Sequence, residues 1–276
     1  MILEFALAPN HTITIQGLFY LYDFFFKLLM VFPDSLSSAI IILLIFVSFI
    51  TSFISAIVGL GGGVILLGIF AIFLDPIAII PVHGVVQAAS NAGRLITLLG
   101  RVHTPVILPF VLGSCIGATL GGFTFTQINP EFVQLFVGIF IILTVLKLFP
   151  KIRTKHLVFV GVVSSFLTIL IGGAGTFAAA VVNSIKLEKL SHIATLAFML
   201  LIQHFMKIVV FGFLGFAFAP YVSLIALMIL SGFMGTLIGR VVVVRLNEDI
   251  FRRVLDLFLI CLAIKLILGS ILGTLG

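Results

Sequence analysis

One segment of this chain is written twice. Phe53-Ile-Ser-Ala-Ile-Val-Gly59-Leu-Gly-Gly-Gly63 recurs as Phe166-Leu-Thr-Ile-Leu-Ile-Gly172-Gly-Ala-Gly-Thr176, a displacement of 113, since 166 minus 53 and 172 minus 59 agree. In both copies the glycines interrupt apolar sequence. Polar residues recur at the same displacement: Ser90 falls on Gln203, Asn91 on His204 and Arg94 on Lys207. Five further residues in the second copy move the displacement to 118, where Gly117 meets Gly235, Gly121 meets Gly239, Asn129 meets Asn247 and Lys147 meets Lys265. A repeat sustained over about 100 residues means two related units. In an apolar chain it points to two halves whose broken helices meet at a shared site.

Apolar residues make up 62% of the chain and charged residues 9%, where a soluble domain carries about a quarter charged. The chain is therefore expected to sit in a lipid bilayer. Runs such as Ala39–Val58 and Pro105–Phe125 reach the roughly 20 residues that cross a bilayer as helix. The net charge of +6 is spread over the connections between apolar runs. It reads as membrane topology, and no nucleic-acid partner is expected. Cys115 and Cys261 occupy non-equivalent repeat positions within apolar runs, so they read as packing residues, and neither a metal nor another cofactor is expected.

Turn signals place helices over 38–58, 62–74, 79–100, 105–125, 131–149, 156–171, 175–185, 189–212, 219–240 and 251–269, two of them too short to cross. Connections bearing Lys or Arg are Gly100–Thr104, Pro150–His156, Ile185–Ser191 and Arg240–Arg253; those without are Pro33–Ser38, Asp75–Pro81, Phe123–Glu131, Gly212–Pro220 and the tail from Ser270. The positive-inside rule makes the first group cytoplasmic and puts both termini outside. Phe123–Glu131 and its counterpart Arg240–Asp249 then face opposite sides, so the repeat is inverted. The expected fold is an all-α polytopic bundle in the cell membrane, with two inverted-topology repeats over 38–149 and 150–276. Each contains a half-length helix starting at a glycine-rich break. Residues 1–37 precede them, and Gln16, Tyr20, Asp23 and Lys27 form one polar stripe there. That stripe fits an amphipathic helix at the membrane surface or a tilted span. Gly113, Gly117 and Gly121, with Gly235 and Gly239, form small-xxx-small runs for close helix packing.

The glycine breaks are the first candidate site. Backbone at mid-membrane depth is tolerated where protein or a cavity satisfies it, and the unpaired N–H groups of a helix start attract an anion. Gly61, Gly62 and Gly63 would offer such groups in the first copy, and Gly173, Gly175 and Thr176 in the second, with the Thr176 hydroxyl as a cap or ligand contact. Downstream, His83, Gln87, Ser90, Asn91 and Arg94 share one helix face, as do Gln203, His204 and Lys207 in the second copy. Intramembrane ionisable residues mark binding sites or pathways. Arg94 and Lys207 read either as cationic steps beside an anion or as snorkelling anchors, and His83 and His204 as proton-linked groups or structural hydrogen-bonders.

Gly59-Leu-Gly-Gly-Gly63, Val82-His-Gly-Val-Val-Gln87-Ala-Ala-Ser90-Asn91-Ala-Gly-Arg94 and the second glycine element at Gly172 together resemble the sulfite exporter TauE/SafE family over roughly 40–270. Gly68 stands in the region where that family often has a proline. The resemblance implies transport of a small sulfur-containing or organic anion such as sulfite, sulfoacetate or thiosulfate. A secondary carrier or facilitator is the first reading, an anion channel the second and a membrane enzyme the third. The oligomeric state stays open, a homo-oligomer included.

Overall fold

The computed structural model describes residues 32–58, 61–96, 98–129, 132–146, 148, 156–173, 175–242 and 248–273. The polar stripe at 16–27 lies outside them, as do the tips of two Lys/Arg-bearing connections. Ten α-helices follow in order among the described residues: α1 Ser38–Val58, α2 Gly62–Phe73, α3 Pro76–Ile96, α4 Ile107–Phe125, α5 Phe132–Val145, α6 Leu157–Ile171, α7 Gly175–Ile185, α8 Lys189–Phe213, α9 Val222–Val242 and α10 Glu248–Gly273. Four stretches, Ser38–Ile57, Thr104–Phe125, Lys189–Phe213 and Ala219–Gly239, are long and apolar enough to cross a membrane. Ile42, Phe46, Leu108, Leu112 and Leu230 are exposed on their outer faces, as a lipid-facing surface requires. The protein is an all-helical membrane bundle.

Two boundaries differ from the sequence reading. The stretch taken as a connection over Asp75–Pro81 is helical from Pro76, because proline at the first helical position has its φ preset and lacks only an N–H that has no helical partner there. Four apolar helices, not two, are short: α2, α5, α6 and α7. At 1.5 Å per residue the 12 residues of α2 and the 11 of α7 reach only about 16–18 Å, against roughly 30 Å of hydrocarbon.

Each glycine break turns the chain back. α1 ends at Val58, and Gly62, the first residue of α2, sits against the Thr51 carbonyl and Ser55 hydroxyl of α1, where a Cβ would collide. The other end of α2 returns to the start of α1, where Ser35 Oγ lies 3.4 Å from Asp75 Oδ2. In the second copy α6 stops at Gly172, whose φ of 80° is a left-handed cap with its N–H on the Thr168 carbonyl.

The same helix contact is made twice with partners exchanged. Gly117 and Gly121 of α4 abut the carbonyls of Val162 and Phe166 on α6; Gly235 and Gly239 of α9 abut those of Phe49 and Phe53 on α1. The glycines differ by 118 and their partners by 113, the displacements of the repeat. Reciprocal contacts of this kind are the mark of a two-fold relation. α3 and α8 are equivalents that pack on each other antiparallel: Gly84 on α3 lies against Lys207, whereas His103, beyond the other end of α3, donates its N–H to Thr195 Oγ1 at 2.9 Å. Serine hydroxyls reinforce the α1–α9 contact, Ser48 Oγ donating to Met228 O and Ser231 Oγ to Ile45 O, each at 2.8 Å.

The connections gather into two groups. Arg101 and Glu188 pair at 3.6 Å, joining two connections that carry basic residues. On the other end Ser35 meets Asp75, Tyr221 hydrogen-bonds Asp75, and Phe125 packs edge-on against Phe211 at 4.9 Å between centroids, bringing the basic-free connections together. Cys115 and Cys261 are exposed free thiols, not buried packing residues, and Cys115 Sγ lies 3.8 Å from Met206 Sδ of α8.

Candidate functional site

Both glycine breaks open onto the α3–α8 pair. The two carbonyls at the breaks are tied together through two side chains. His83 Nε2 donates to the Gly63 carbonyl at 2.9 Å, which leaves Nδ1 as an acceptor, and Lys207 Nζ stands 3.4 Å from that nitrogen. Lys207 also donates to the Gly172 carbonyl at 2.6 Å. A continuous polar chain thus runs from the start of α2 to the end of α6. His204 stacks edge-on to His83 with centroids 5.6 Å apart. Leu67 of α2 packs on Gly172 and on Gly173, closing the two breaks against each other.

At α2, Gly61 takes φ 108° and its carbonyl accepts from Val64 and Ile65, while no side chain caps the helix. A Cβ on Gly63 would lie 3.2 Å from Gln87 Oε1, so the Gln87 amide covers this helix start. The Gly62 α-carbon faces α1, and the absence of a side chain there serves helix packing. At α7, Thr176 Oγ1 is buried without a hydrogen-bond partner, and His204 Nδ1 is in the same state. Buried polar atoms are normally satisfied; the Ser114, Ser165 and Thr168 hydroxyls are unpartnered in the same way.

The remaining candidates divide. Asn91 and Arg94 form a unit farther along α3: Asn91 Nδ2 donates to Gln87 O at 2.8 Å and Arg94 NH2 to Asn91 Oδ1 at 2.7 Å. Arg94 is only 9% exposed and Lys207 fully buried, which rules out snorkelling. Gln203 Nε2 donates to Ser164 Oγ at 2.8 Å. Ser90 faces elsewhere, lining a cavity of about 130 Å³ with Ser48, Ser52, Gly93, Met228 and Thr236. The hydroxyls of α1 and α6 went unassigned in the sequence: Thr51 and Ser55 are buried beside the first break, Ser52 against Gly232 of α9, and Ser164, Ser165 and Thr168 are buried on α6. They pair at the displacement of 113, and that was their signal.

Electrostatically the interior is cationic. Arg94 and Lys207 are buried, and no carboxylate is buried among the described residues. The described residues also hold no cluster of His, Cys, Asp and Glu suited to a metal. Buried cations flanking two half-length helices, inside a bundle with exchanged repeat contacts, define a membrane transporter. The sulfite exporter TauE/SafE family model matches residues 44–266, most of the chain, and the chain belongs to that family, whose members transport sulfur-containing anions across membranes. No curated protein and no solved structure matches it.

Proposed function

We propose that this chain is a secondary carrier or facilitator of a small anion, sulfite or a related sulfur-containing or organic anion, held between the starts of α2 and α7. One observation carries the reading: Lys207 is fully buried at the second glycine break, on the Gly172 carbonyl, with no buried carboxylate among the described residues. Burying the Lys207 ammonium costs its hydration, and a bound anion offsets that cost. The Gln87 amide, the Thr176 hydroxyl and His204 would complete the anion's contacts, with the helix N–H groups at Gly63 and Gly175. Arg94 and Lys207 would attract it from the two sides.

Alternating access, by rocking of one inverted unit against the other, is the transport mode that fits two related halves with broken helices. The cavity beside Ser90 and Gly93 lies between α1, α3 and α9. The equivalents of those two residues are Gln203 and Met206, at 113 residues' displacement. There Gln203 bonds Ser164, and Met206 Sδ lies 3.8 Å from Cys115 Sγ. One of two related positions is open and the other filled, a difference that the larger Gln203 and Met206 side chains account for. With Phe123–Glu131 outside and the Arg101–Glu188 end inside, the interior-negative potential favours export by about 2.3 kcal/mol per charge per 100 mV.

Sulfite flux into liposomes containing the purified protein tests the proposal. Saturable uptake accelerated by sulfite on the opposite side supports a carrier. Unitary currents would point to a channel, and chemical turnover of the anion to an enzyme.

A further inference from the structure

We propose that Lys207 is a tethered coupling cation: its ammonium fills the carbonyl end of α6, where a broken-helix carrier otherwise binds a free cation, and its proton is the ion linked to anion movement. The inference rests on the carrier reading above. Half-helix carboxyl ends and unwound carbonyls are where such carriers coordinate coupling cations, since the helix dipole is negative there. Gly172 is that end of α6, and its carbonyl receives Lys207 Nζ at 2.6 Å. The aliphatic stem reaches it through a slot on α3. A Cβ on Gly84 would lie 2.8 Å from Lys207 Cδ and 3.3 Å from Cγ, so glycine there makes room for the lysine.

The surroundings fit a group that exchanges a proton. The ionisable residues facing it are His83 from α3, with Nδ1 at 3.4 Å, and His204 from its own helix; Arg94 lies farther along α3, on Asn91. Cys115 is the sole ionisable residue of α4, whereas α6 and α7 contribute none. Among the described residues no carboxylate pairs with the ammonium. His83 holds its proton on Nε2 for Gly63, so the Nδ1 lone pair faces Nζ across 3.4 Å. Transfer breaks one Nζ–H bond and forms Nδ1–H, leaving a neutral amine and an imidazolium, whose ring centroid lies 5.6 Å from that of His204. The repeat equivalent of Lys207 is Arg94, whose guanidinium stays protonated. Only the second copy can release its proton in this way.

The test measures protons moved per anion, using thiosulfate and sulfoacetate as probes because both stay ionised at neutral pH. Wild-type liposomes loaded with a pH-sensitive dye are expected to report proton movement whenever either anion moves. In Lys207→Gln, whatever anion movement remains is expected to carry no protons. Anion movement without protons in wild type overturns the inference and leaves the carrier reading standing, as does a Lys207→Gln variant with unchanged proton movement per anion. A second arm needs no transport. Lys207→Ala vacates the carbonyl site, so ethylammonium is expected to raise its unfolding temperature and leave that of Lys207→Met, whose side chain refills the space, unchanged. If wild type moves neither anion, this arm decides, and equal responses of the two variants overturn the inference.

Discussion

Lys207 and His83 join the two halves of this protein: 124 positions apart, they stand 3.4 Å from each other, and each holds the backbone carbonyl of one glycine break. His83→Leu removes the donor to Gly63 O and the acceptor facing Nζ. A buried polar group left unpaired costs about 1–3 kcal/mol, and two are affected. The expected outcome is a lower unfolding temperature in detergent with reduced anion flux. His83→Gln, which can still donate to Gly63, should lose less of both.

The two starting glycines of α2 should respond differently. Gly62→Ala drives a methyl into the Thr51 carbonyl of α1, so it should lower unfolding temperature and yield. Gly63→Ala meets only the Gln87 amide, a flexible group that can shift. Its fold should survive while anion affinity drops, because the amide is displaced from the helix start. Thermal unfolding and flux measured on both variants separate the roles.

Gly117→Val and Gly235→Val probe the exchanged contacts. Each places its side chain against a backbone carbonyl, of Val162 in one case and Phe49 in the other. Overpacking typically costs about 1–3 kcal/mol, and backbone yields less than a side chain. Both variants should be destabilised to a similar degree in thermal unfolding. A tolerant site on one side alone would contradict equivalent interfaces.

Much of this was legible in the sequence because the repeat carries its own register. The displacement of 113 relates Gly62 to Gly175 and Pro76 to Lys189, the first residues of paired helices. The pairing of Gly117 with Gly235 marked two surfaces for close helix packing, and the structure supplies their partners, α6 for α4 and α1 for α9. What a repeat cannot show is which way a side chain points. Gly62 belongs to packing and Ser90 to a separate cavity, although both sit on faces that read as site-lining. The His83–Lys207 link was hidden for another reason: it joins non-equivalent positions, since His83 corresponds to Leu196.

Charge at Arg94 should discriminate among ligands. Coulomb attraction scales with ligand charge, so Arg94→Gln should weaken the apparent affinity for a dianion more than for a monoanion of similar size. Arg94→Lys should recover part of the loss, less if a planar two-point grip on an oxyanion matters. Competition by matched mono- and dianions in the flux assay provides the comparison.

Orientation follows from the two groups of connections. Asn129→Cys and Glu188→Cys lie in connections of opposite groups, in a background lacking Cys115 and Cys261. An impermeant thiol reagent applied to intact cells should label the first and spare the second until the membrane is opened. Labelling of both from outside would contradict the inverted arrangement.

The most direct measurement is sulfite counterflow in liposomes containing the purified wild-type protein, with Gly63→Ala and Thr176→Val beside it. The expected result is saturable uptake of radiolabelled sulfite, faster when unlabelled sulfite is inside, and weakened in both variants without loss of folded protein. Uptake no greater than in empty liposomes, or uptake indifferent to both substitutions, would contradict an anion site between the two half-helices.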